Sequence, residues 1–166
     1  MRHNALDRML ENLRESRETY ASLLEVAEQK QQHILANDIE GLRADLKSEE
    51  QLAGEGTRLN TEREELHAEC RRILHARPGA RTIEDLCEYL PPEWHERFRT
   101  ERAGLRETVE RLRRVNRANV SLVNNSLHLL DGLLAAVFGT ERTSAYGPRG
   151  ERSQTRIPVR TLNASA

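Results

Sequence analysis

Apolar residues near the start of the chain recur at alternating steps of four and three: Leu6, Leu10, Leu13, Tyr20, Leu24, Ala27 and Ile34, with Arg17 and Gln31 as polar interruptions of the same stripe. That period puts them on one side of an amphipathic helix, predicted from about Asn4 to Ala36. The same phase carried forward lands on Asp38, Gly41 and Asp45, whereas the next apolar set is Ile39, Leu42, Leu46, Leu52, Leu59, Leu66, Cys70 and Ile73. The slip predicts a tight turn between antiparallel helices, with Asn37 as the N-cap and Asp38 and Glu40 as first-turn acids of a second helix over about 38–77. That helix is expected to stop at Arg77, Pro78 and Gly79, because Pro breaks the hydrogen-bond ladder and Gly accepts a left-handed conformation. Its weak point is Gly54 and Gly56, each costing about 1 kcal/mol relative to Ala in a helix interior.

Thr82 followed by Asp85 resembles a capping pair and predicts a short helix over 83–90, ended by Pro91 and Pro92. From residue 93 to 138 only Gly104 and Gly132 weaken the helical pattern, and a helix of that length extends about 70 Å. Its second half, VNRANVSLVNNSLHLLDGLLAAVF, changes character: between Ala118 and Thr140 the only Asp, Glu, Lys or Arg is Asp131. A membrane span is disfavoured, since Asn119, Ser121, Asn124, Asn125, Ser126, His128 and Asp131 would have to be desolvated in hydrocarbon. Val123, Leu130, Leu133 and Val137 continue the stripe set by Leu105 and Leu112. Val115, Leu122, Leu127, Leu129, Leu134 and Phe138 spread around the cylinder. An apolar surface wider than one neighbouring helix covers implies a binding partner; the alternatives are the short helix or the second helix folded over it, or a second copy of the chain. On the inward phase Asn116, Asn119 and Ser126 stand where a simple coiled coil would carry Leu, a pattern that fixes register at some cost in stability.

The 166 residues are 37% hydrophobic, 4% aromatic and 32% charged. Few aromatics and few β-branched residues argue against a sandwich or α/β core and for an elongated all-α chain: an antiparallel helical hairpin or bundle of three long helices plus one short one. Net charge is −1 overall, but residues 1–77 sum to −4, 78–138 to zero and 139–166 to +3. The last segment, with few apolar residues and no periodicity, is expected to be a flexible basic tail outside a helical domain over 1–138. Absence of a global positive excess, and Glu interleaved with Arg at helical spacing, argue against a nucleic-acid partner. MRHNALDRML contains no signal-peptide run, which predicts a cytoplasmic protein, and Cys70 and Cys87 are expected to be free thiols acting as small buried hydrophobes.

No enzyme is expected. Glu64 and His67 have the Glu-x-x-His spacing of a di-iron bundle, but a second such pair is missing. His67, Cys70 and His75 lack a fourth zinc ligand nearby, so no metal or other cofactor is predicted. Phosphate-binding loops and nucleophile elbows are absent from the sequence.

The pattern of Leu112, Asn116, Asn119, Leu122, Val123, Ser126, Leu127, Leu130, Leu133 and Leu134 resembles the C-terminal helix of the FlgN family of flagellar type III export chaperones. The Leu-rich first helix, the QQHILANDIEGLRADL turn, the Glu- and Arg-rich second helix and the Tyr146–Gly150 motif YGPRG are similar to the rest of that family. The resemblance implies a cytosolic chaperone for hook-filament junction (hook-associated) subunits. It implies a client surface of Asn119, Leu122, Val123, Ser126, Leu127, Leu130, Leu133 and Leu134, and docking of Tyr146 and Gly147 at the membrane export gate. ARPGARTIEDL and the tail beyond Gly150 depart from the family pattern and carry no expected role. A homotypic coiled-coil adaptor, burying the apolar helix against its own copy as a homodimer, is the competing reading.

Overall fold

The computed structural model describes residues 2–138. They form four helices: α1 (Arg2–Ala36), α2 (Ile39–Ile73), α3 (Ile83–Cys87) and α4 (Pro92–Phe138), and among the described residues there is no strand. The all-α class expected from composition is therefore observed, with three long helices and one short. The chain divides into two units, residues 1–123 and 124–166.

In the first unit α1 and α2 form the expected antiparallel hairpin. Arg8 pairs with Glu69 at 3.2 Å, Asn12 Nδ2 donates to the Leu59 carbonyl at 3.0 Å, Lys30 pairs with Glu49 at 2.6 Å, and His33 Nδ1 lies 2.6 Å from Asp45 Oδ2. As residue numbers rise on α1 they fall on α2, and these polar cross-links fix the register that a Leu stripe alone leaves loose. At the turn Asn37 takes φ 55°, and the Asp38 and Asn37 amides donate to the His33 and Ile34 carbonyls at 2.9 and 3.3 Å. That is a Schellman closure of α1, so Asn37, expected as the N-cap, is spent on ending α1, and Asp38 instead caps α2 by accepting from the Gly41 amide at 3.0 Å. Glycine suits position 41: a Cβ there would meet the capping Asp38 carboxylate at 2.5 Å and the His33 ring at 2.7 Å, so a larger residue displaces one or both.

The second helix ends at Ile73, four residues short of the expected Arg77. His75, at φ 53°, takes the left-handed position assigned from sequence to Gly79, and the Ala76 and His75 amides close onto the Arg71 and Arg72 carbonyls at 3.0 and 3.3 Å. Gly54 and Gly56 leave α2 uninterrupted. Thr82 and Asp85 form a full capping box: Thr82 Oγ1 accepts from the Asp85 amide at 3.1 Å, and Asp85 Oδ2 accepts from the Thr82 and Arg81 amides at 2.9 Å each. Hydrogen bonds from Thr82 first, and then from Arg81, hold the Asp85 carboxyl below its usual range. Its contribution to stability is thus complete above the ordinary carboxylate pKa of about 4 and is lost only as pH falls through the lower folded value. α3 stops at Cys87, earlier than the expected residue 90, although Leu90 is still buried.

This connection, to which the sequence assigned no role, closes one end of the first unit. Ala80, Leu86 and Leu90 join Trp94 and Phe98 of α4 against Ala5, Leu6, Met9 and Leu10 of α1 and Leu66 and Cys70 of α2. Over residues 92–123, α4 runs parallel to α1: Arg97 pairs with Asp7, Arg17 with Glu101 at 3.1 Å and Arg111 with Glu28 at 2.8 Å. The hairpin turn is the less apolar end. Asp45 is buried there, while Leu35, Ile39 and Leu46 are exposed.

Candidate functional site

Asn119, expected on the client surface, instead lies inside the first unit. It is 4% exposed, and its Nδ2 donates to the Ala27 carbonyl of α1 at 2.8 Å. Asn116, one turn earlier, is half-buried. A polar seam position is satisfied most readily by the neighbouring helix of its own chain, so Asn119 sets the α1–α4 register and is withdrawn from any partner. Leu122 is half-buried in the same unit, while Val123 is 40% exposed.

The described part of the second unit, residues 124–138, is helical throughout. Leu127, Leu129, Leu130, Leu133, Leu134 and Val137 are all exposed, from 36% for Leu127 to 73% for Val137. At about 100° per residue these six occupy a sector of about 160°, interrupted only by the exposed Ser126. Asn124, Asn125, His128 and Asp131 fall on the opposite side. Here the sequence reading of an all-round apolar cylinder is corrected to one broad apolar face. Leu129 and Val137 belong to it and were absent from the expected site; the signal that finds them is that they share the angular sector of Leu133. A helix with an apolar face of this width gains when a partner covers it, on the order of 1 kcal/mol for each half-exposed Leu.

A window of 18 residues in α4 reaches a mean hydropathy of 1.3, apolar enough by composition to cross a membrane, with none of it buried. A one-sided face of Asn, His and Asp is poorly suited to hydrocarbon and well suited to a helix that lays its other side on a protein. Tyr146 and Gly147, the expected export-gate motif, lie outside the described residues.

The other candidate chemistry resolves into structure. His67 Nε2 lies 3.2 Å from the Thr82 carbonyl, and Cys70, 1% exposed, directs its Sγ to the Ala5 carbonyl at 3.7 Å. Burial pushes the Cys70 thiol up to about 11, and Cys87 also moves up for the same reason, so both are protonated at neutral pH. Among the described residues no group of three or more His, Cys, Asp or Glu is placed to hold a metal ion. The interleaved charges form the expected intrahelical pairs, among them Arg14 with Glu11, Arg43 with Glu40, Arg58 with Glu55 and Glu62, and Arg106 with Glu110.

The sequence model of the family described as FlgN protein matches residues 1–154. The chain belongs to the FlgN family. Membership implies a flagellar export-chaperone role in general, and FlgN is a family of chaperones rather than enzymes. The FlgN match spans the connection over 74–91 and also reaches Tyr146 and Gly147, beyond the described helices. Neither a curated protein nor a solved structure matches the chain.

Proposed function

We propose that this FlgN-family protein acts in the cytoplasm and binds flagellar hook-filament junction subunits through the apolar face of residues 124–138. It holds them unassembled and delivers them to the export gate. The observation that carries this reading is the exposure of every Leu in that segment, whereas α1 buries Leu6, Leu10, Leu13, Leu23 and Leu24, and α2 buries Leu59 and Leu66. An amphipathic helix presenting Leu anchors at i, i+3 and i+7, as Leu127, Leu130 and Leu134 do, suits a client segment that is itself amphipathic. Covering the client's assembly surface with such a helix keeps two aggregation-prone faces out of water at once.

Light scattering with and without a purified junction subunit separates this from the coiled-coil adaptor. A chaperone gives a defined complex with the client, whereas an adaptor remains a dimer of unchanged mass when the subunit is added.

The tail has a separate task under this proposal. Tyr146 supplies one rigid apolar anchor beside Gly147 and Pro148, and Arg149 and Arg152 add attraction toward an acidic receptor surface at the export gate. Tyr146→Ala is expected to leave client affinity unchanged and to reduce motility in cells. Lost client binding in that variant contradicts the division of labour.

A further inference from the structure

A groove of about 610 Å³ runs along the first unit, walled by α2 and α4, and goes beyond the client surface just proposed. Its apolar lining is Leu13 from α1, Ile83 at the start of α3, and Ala103, Leu105 and Val109 on α4, the last two one turn apart. Its edges are basic. Arg63 stands on the α2 wall, and Arg99, Arg102, Arg106 and Arg113 on the α4 wall, against Glu110 as the one lining carboxylate. At about 100° per residue the four α4 arginines fall within about 60° of one another, forming a row beside the Leu105 and Val109 stripe.

Part of that charge is already answered: Arg102 pairs with Glu84 at 3.0 Å and Arg106 with Glu110 at 3.0 Å, and Arg99 pairs with Glu96. Two arginines are not. Arg63 donates to the neutral Ser16 hydroxyl at 2.9 Å and the Asn60 amide oxygen at 2.8 Å, and among the described residues neither Arg63 nor Arg113 has a carboxylate within 4.0 Å. Facing walls therefore each offer an uncompensated guanidinium over an apolar floor.

We propose that this groove docks an acidic amphipathic helix of a partner protein. The apolar stripe of that helix lies on Leu105 and Val109, and its flanking carboxylates meet Arg63 on one side and the arginine row on the other. The row from Arg99 to Arg113 is about 21 Å long, four turns of helix. The chain's own tail is the wrong sign for the site, since residues 139–166 sum to +3. RNA suits it poorly, because the lining has no aromatic ring on which a base stacks.

The test is fluorescence anisotropy on the full chain with three labelled probes. One is a designed 14-residue helix with one Leu stripe and Glu on both flanks; the others are the same peptide with Lys for Glu, and an oligouridylate. The Glu peptide is expected to bind and the other two not. Arg113→Glu and Arg63→Ala, on opposite walls, each weaken it at least tenfold, whereas Arg114→Glu, also exposed but off the row, and Leu130→Ala change it less than twofold. Helicity of each variant is checked alongside. Equal binding of both peptides, preference for the oligouridylate, no binding of any probe, loss of binding in Leu130→Ala, or a dimer in sedimentation that dissociates with Arg113→Glu, each overturns the proposal.

Discussion

Trp94→Ala is expected to destabilise the first unit by about 3–5 kcal/mol, the usual range for removing a large buried aromatic. Trp94 is 3% exposed in the first turn of α4, where the connection from α3 meets the ends of α1 and α2. Its ring packs edge-on to Phe98, with centroids 6.1 Å apart and planes at 62°, and the Arg97 guanidinium lies 4.7 Å over its face. Trp94 belongs to the one buried cluster that α1, α2, the connection and α4 build together, and a close-packed cluster relaxes only partly around the cavity that Ala leaves. Urea unfolding followed by circular dichroism measures the loss. A change below about 1 kcal/mol would mean that the connection and α4 do not share a core with the hairpin.

Leu127→Ala and Leu130→Ala are expected to do the reverse. Both side chains are exposed, at 36% and 54%, so truncation removes little burial from the free protein, and Ala is the better helix former. Their unfolding midpoints should stay with the parent protein. Client affinity, by contrast, should fall by about 1–3 kcal/mol for each, roughly 5- to 150-fold, because anchors near the centre of a helix-in-groove contact carry most of its energy. The contrast between Trp94 and Leu130, two apolar residues of one helix, separates folding from binding within α4.

Much of this was legible in the sequence because one period governs the chain. The slip between the Leu24–Ile34 stripe and the Ile39–Leu46 set located the hairpin turn, and the Thr82 and Asp85 pair located the start of α3. Boundaries set by unusual backbone were not legible: nothing in its side chain marks His75 for φ 53°, whereas Pro78 and Gly79 advertise a break that α2 had already made. The role of 74–91 was hidden too, since Ala80, Leu86 and Leu90 are spaced by a bent connection rather than by a helical repeat. At the candidate site the client surface implied by the FlgN resemblance took in Asn119 together with Leu130, which lie on the same side of the helix. Only the neighbouring α1 separates them, taking up Asn119 through the Ala27 carbonyl. Likewise the row of arginines on α4 reads as a solvated face until Arg63 of α2 appears across from it.

The most direct measurement is a calorimetric titration of a purified hook-filament junction subunit into the full-length protein and into Leu127→Ala and Leu130→Ala. Binding at residues 124–138 predicts a defined stoichiometry for the parent protein and a 5- to 150-fold weaker dissociation constant for each variant at unchanged helicity. Equal affinity in all three proteins would remove this helix face from the client site.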